Sequence, residues 1–125
     1  MSNTDAPTFN FTVAVNIEVS PATFTIFDST GSPTTAPVEV TVNNTQIVYT
    51  LVDNTQDLIF VQPDISDDPN NDLSYVISSD GQTLTITDSD VDQENICLKL
   101  VVAQSSTPTV TYTSPDPTIK NRPPL

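Results

Sequence analysis

Apolar and polar residues alternate along most of this chain. Phe9, Phe11, Val13, Val15, Ile17 and Val19 occupy every second position with mostly polar residues between them. That is the period of a strand with one buried face. Ser20-Pro21 interrupts the run, and Phe24-Thr25-Ile26-Phe27 reads as a second strand. Asp28-Ser29-Thr30-Gly31-Ser32-Pro33 is dense in turn formers. Val38, Val40 and Val42 alternate in a third strand, and Ile47 to Val52 make a fourth with both faces covered. Leu58-Ile59-Phe60-Val61 is a fifth. Leu73, Tyr75 and Ile77 mark a sixth, which Ser79-Asp80-Gly81-Gln82 turns back onto Thr83-Leu84-Thr85-Ile86-Thr87. Asp-Gly suits a tight primed turn. Ile96 to Ala103 is apolar at nearly every position, predicting a central eighth strand, and Val110-Thr111-Tyr112 a ninth.

No stretch carries helical spacing, and β-branched residues abound. Short strands at regular spacing with turns between them predict an all-β fold. The expected architecture is an immunoglobulin-like β-sandwich of about 7–9 antiparallel strands, with a small jelly roll as the alternative. The expected organisation is a loose N-terminus (1–7), a sandwich domain (8–113) and an extended proline-rich tail (114–125). Pro108, Pro115, Pro117, Pro123 and Pro124 argue against a central strand near that end.

Charge narrows the function classes. Three cations stand against sixteen acids, with no histidine and a formal net charge of −13. Phosphate contacts need Lys or Arg, so no nucleic-acid partner is expected, and the same charge disfavours anionic membranes. Without histidine, a phosphate loop or tryptophan, the chain is not expected to be an enzyme. Cys97 is the single cysteine, so an intrachain disulfide is ruled out, and its apolar surroundings predict a buried structural thiol. Met1-Ser2-Asn3-Thr4-Asp5 has neither the basic start nor the apolar core of a leader. The expected compartment is the cytoplasm, with a secreted mature chain as the alternative.

The acids are clustered. Asp64, Asp67, Asp68 and Asp72 share one loop, and Asp88, Asp90, Asp92 and Glu94 share another. The second has the D-x-D-x-D spacing that turns alternate carboxylates toward one centre, as calcium loops do. Gln93 at the sixth position and Lys99 at the twelfth exclude an EF-hand loop. These eight acids are the candidate metal ligands, calcium is the candidate ion, and the alternative is two hydrated loops screened by salt. No other cofactor is expected.

Asp116-Pro117-Thr118-Ile119-Lys120-Asn121-Arg122-Pro123 resembles the closing Asp-Pro-x-Ile-x-Asn-x-Pro of the small bacterial DP-EP family proteins. The stretch Ser78 to Ile86, the following Asp88-Ser89-Asp90 and the alternating Phe/Val start are similar too. The resemblance implies a small, acidic, β-rich protein and transfers no catalytic or binding residue. The functional expectation is therefore a non-catalytic binding or assembly module. It would self-associate through an edge strand, with unguarded Phe9–Val19 in mind, or through the tail. The alternative is a calcium-dependent adhesion or carbohydrate-binding module.

Overall fold

The alternation becomes burial strand by strand. A computed structural model describes residues 8–34, 38–52, 56–68, 72–89, 94–115 and 118–121. The expected loose N-terminus, residues 1–7, lies outside these. Twelve strands and no helix occur among the described residues. In chain order they are β1 (Thr8–Asn16), β2 (Thr23–Phe27), β3 (Val38–Val40), β4 (Thr45–Leu51), β5 (Leu58–Phe60), β6 (Asp64–Ser66), β7 (Leu73–Ile77), β8 (Thr83–Asp88), β9 (Glu94–Lys99), β10 (Val101–Gln104), β11 (Thr107–Thr113) and β12 (Thr118–Asn121).

Three sheets form, ordered β2-β1-β4-β8-β7, β11-β10-β5 and β3-β12-β9-β6. The arrangement is sandwich-like, with one core. Val13, Ile47, Tyr49, Leu84 and Ile86 supply the five-stranded sheet's contribution. Val40, Ile96, Leu98, Val102 and Ile119 come from the other two sheets. Full burial of each such side chain contributes about 1.5–3 kcal/mol.

Several features depart from the sequence expectations. There are more strands, and two pairings are parallel: β1 with β4, and β12 with β3. The long run Ile96–Ala103 is two strands in different sheets. At Leu100 the chain leaves one ladder and enters the next. The backbone N–H of Leu100 donates to Ser114 Oγ at 2.8 Å, and its carbonyl accepts from the Ser114 N–H at 2.8 Å. Ser114 thus occupies Leu100's backbone groups at the change of sheet.

Cys97 is half-buried rather than buried. It sits between Ile96 and Leu98, both fully buried, so the pleat turns it outward with Lys99. The Asp80-Gly81 turn is not primed, because Gly81 has φ of +74° whereas Asp80 is not among the positive-φ residues. Four residues separate the paired ends Ser78 and Thr83, which suits a turn closed by a single left-handed glycine. A Cβ on Gly81 would stand 2.6 Å from Ile59 Cγ2, so glycine is required there for space as well.

The run Phe9–Val19 is only in part an edge. Within β1, Thr12 and Val13 pair with both β2 and β4, Thr8–Phe11 pair with β4, and Ala14–Asn16 pair with β2. The proline-rich segment also holds a surprise. Between Pro117 and Pro123, residues Thr118–Asn121 form β12, a central strand flanked by β3 and β9. Proline removes a donor only where it stands, and these four residues contain none.

Two substitutions test this packing. Ile119 is fully buried, so Ile119→Ala should lower the unfolding free energy by about 2–5 kcal/mol. Urea titration would show this as a lower midpoint, with outward-facing Lys120→Ala as a near-neutral control. Tyr49 stacks on Phe11 with ring centroids 5.4 Å apart. Its hydroxyl is buried without a hydrogen-bond partner, and burial pushes the phenol well above its ordinary range. Tyr49→Phe should be neutral or stabilising by up to about 1 kcal/mol, since it removes an unsatisfied buried group.

Candidate functional site

Register decides which acids meet. Leu73 pairs with Asp88, so the residue before β7 and the last residue of β8 lie at one end of the five-stranded sheet. Asn121 closes β12 in the four-stranded sheet and pairs with Glu94. Asp88 continues the inward period of Leu84 and Ile86, and Asn121 continues that of Ile119. Both therefore point into the interior, where Asp72 joins them.

All three side chains are buried, Asp72 at 3% exposure and Asp88 and Asn121 at 0%. Asn121 Nδ2 donates to Asp72 Oδ2 at 3.0 Å and to Asp88 Oδ1 at 3.1 Å. The other oxygen of Asp72, Oδ1, is buried and accepts no hydrogen bond. Two neighbouring carboxylates repel when both are ionised. One neutral amide bridges them.

The remaining candidate ligands do other things. Asp68 closes its loop, its Oδ1 accepting the Asp72 N–H at 2.8 Å and its Oδ2 the Leu73 N–H at 3.1 Å. That clamp fixes the backbone from which the Asp72 side chain enters the core. Asp64 is exposed on β6 and registers with Lys99 of β9. Asp67 is exposed with φ of 61°. Glu94 lies at the start of β9, paired through its backbone with Asn121. Asp90 and Asp92 lie outside the described residues. No group of three or more His, Cys, Asp or Glu able to hold a metal occurs among the described residues. The site that does form combines two carboxylates with an amide. The acid pattern carries no signal for Asn121; its inward parity with buried Ile119 does.

A second feature is a surface. The outward residues of the five-stranded sheet run in rows across the strands. Phe27, Thr12, Thr50 and Thr83 make one row. Asn10, Val48, Thr85 and Val76 make the next, and Thr8, Gln46, Thr87 and Ser74 a third. None of these residues is charged. The outward side of the four-stranded sheet differs, since Lys120 registers with Glu39 and Lys99 with Asp64. At the β1–β2 end lies an open hollow of about 360 Å³, edged by Glu18. Gln56 holds Glu18 there, with Nε2 donating to Glu18 Oε1 at 3.2 Å.

Two exposed acids organise turns. The Thr30 hydroxyl, followed by the Ser32 backbone, holds the Asp28 carboxyl below its ordinary range. The Ser78 hydroxyl at 2.6 Å and the Gln82 N–H at 3.0 Å do the same for Asp80.

The chain matches the DP-EP family over residues 7–123. No curated protein matches it. No helix among the described residues is long and apolar enough to cross a membrane.

The lowered carboxyls of Asp28 and Asp80 have a signed consequence. A depressed folded-state pKa contributes stability above the unfolded value of 3.8 and loses it as pH falls through the folded value. Melting followed from about pH 5 to about pH 2 should show the double variant Asp28→Ala/Asp80→Ala losing less stability on acidification than the parent chain. Equal slopes would show that these turns contribute nothing to the acid limb.

Proposed function

The chain belongs to the DP-EP family, and for this member we propose a non-catalytic assembly module that self-associates through the uncharged outer face of its five-stranded sheet. One observation carries the reading. In a chain of net charge −13, the strand residues on that face include no Asp, Glu, Lys or Arg. Two copies repel wherever their acids come within a screening length of about 8 Å. A face without charges is where they approach at least cost.

Size and chemistry support the same reading. Five strands spaced about 4.8 Å apart, with β1 the longest, give a footprint of several hundred Å², near one side of a standard interface of about 800 Å². Threonine methyls bury area while their hydroxyls exchange hydrogen bonds across the contact. Strand β7 ends the sheet with an unpaired edge and carries Val76, 68% exposed, and Tyr75, 38% exposed. No charge or proline guards that edge, so it can extend the contact. The tail is unsuited as a docking peptide, because β12 is already paired on both sides within its own chain. The non-catalytic part of the reading rests on the absent histidine and on the burial of Asp72 and Asp88 beyond reach of a substrate.

The test is solution mass against concentration. The parent chain should form a dimer or larger assembly at about 100 μM by light scattering, tightening as salt screens the residual repulsion. Thr85→Glu/Val76→Glu should be monomeric with an intact melting transition. Glu39→Gln, on the opposite side, should assemble as the parent does. A parent chain that stays monomeric at millimolar concentration in high salt would overturn the reading.

A further inference from the structure

We propose that the hollow at the β1–β2 end binds a primary alkylammonium group, with the Glu18 carboxylate as its counter-ion. The proposal goes beyond self-association and does not depend on it.

Register builds the hollow. Val13 is fully buried, so the even-numbered residues of β1 face outward. Ala14 pairs with Thr25 and Asn16 with Thr23, and these four residues line the hollow. Ala14 presents only a methyl group beside the longer side chains of Asn16 and Thr25, so the surface dips there. The volume of about 360 Å³ falls within the range of small-ligand sites, about 300–1,000 Å³. Asn16 Oδ1 accepts the Glu18 N–H at 2.9 Å, which turns the chain after β1 and brings Glu18 to the rim.

The carboxylate is held in place and keeps its charge. Gln56 Oε1 accepts the Ile17 N–H at 3.2 Å, and Gln56 Nε2 donates to Glu18 Oε1 at 3.2 Å. The Gln56 carbonyl accepts from Gln104 Nε2 at 3.3 Å, which anchors the residue to the end of β10. An exposed glutamate ordinarily samples several rotamers. Here a neutral amide fixes it, so the carboxylate is oriented before a ligand arrives. Both lysines lie on the four-stranded sheet, Lys99 in register with Asp64 and Lys120 with Glu39. One carboxylate is too few for calcium, which takes about six to eight oxygens. It matches one organic cation. A primary ammonium has N–H donors and no acceptor, and the hollow offers it the Glu18 carboxylate, the Thr23 and Thr25 hydroxyls and the Asn16 amide oxygen. The methyl groups of Ala14, Thr23 and Thr25 suit the carbon chain behind the charge. The net charge of −13 raises the local concentration of any cation.

Amide NMR of the full chain, titrated at constant ionic strength, tests the site with butylamine and, separately, with tetramethylammonium. Butylamine should bind saturably with a dissociation constant on the order of 1 mM. The shifts should be confined to Asn16, Glu18, Thr23, Thr25 and Gln56. Tetramethylammonium has the same charge and no N–H donor, so it should bind at least about tenfold more weakly. Glu18→Gln should abolish saturable binding. Gln56→Ala should weaken it about threefold or more with an intact melting transition, because the charge remains but is no longer oriented. Glu39→Gln removes one charge from the other layer and should leave binding unchanged. Two further arms separate the sources of the ammonium group. Tighter binding of spermidine assigns the hollow to free polyamines, and tighter binding of a capped lysine assigns it to a lysine side chain. No saturation by about 20 mM butylamine would overturn the proposal. So would equal binding of tetramethylammonium, or equal losses in Glu18→Gln and Glu39→Gln, either of which would assign the effect to net charge alone. None of these results would touch self-association, which is read from solution mass without added amine.

Discussion

The insertion of β12 between β3 and β9 is the constraint on which the second layer depends. Among the described residues, β3 has no other partner in its sheet and β9 otherwise pairs only with β6. Removing β12 would leave β3 unattached and open one side of the core at Ile119. It would also remove Asn121, the donor that bridges Asp72 and Asp88. A strand of four residues thus completes a sheet, fills the core and supplies the amide of a buried polar cluster. Its contacts are nearly all distant in sequence. The loop-closure entropy for them must be overcome before their energy is gained.

Much of the fold was legible because one rule, alternate residues facing alternate sides, operates almost everywhere. It located the strands over 8–16, 23–27, 45–51, 73–77 and 83–88 within a few residues. Continuous apolar stretches defeated it. Between Ile96 and Ala103 nothing in the residue types marks Leu100 as the point where the chain changes sheets, because Leu98, Leu100 and Val102 are all fully buried apolar residues. The outward position of Cys97 did have a signal: Lys99 shares its parity, and a lysine turns toward water. β12 was hidden by its flanking prolines. The prohibition on proline in a sheet applies to each residue, however, not to the segment that contains it.

The acidic cluster shows how far spacing alone carries. Counting carboxylates marked the two loops to which Asp72 and Asp88 belong. It could not rank the acids within them, since that depends on which ones share parity with buried neighbours. Asp88 follows Leu84 and Ile86 inward. Asp64 registers with a lysine on an exposed surface, and Asp68 is consumed by two backbone N–H groups. An asparagine two residues after a buried isoleucine carried the same inward signal as Asp88. Charge counting gives no weight to that signal, because the side chain is neutral.

The charge distribution links the cluster to the neutral face. Concentrating eight of sixteen acids around two loops costs local repulsion. Screening confines that cost to neighbours within about 8 Å. In return the strands of the five-stranded sheet need carry no charge at all on their outer side. A chain with its acids spread evenly would repel copies of itself from every direction. Segregated acids repel from most directions and leave one open. In the proposed self-association the same repulsion would make the uncharged face selective, because any contact displaced from it brings carboxylates together. On that proposal net charge and local neutrality act together, since neither alone would give a directed contact.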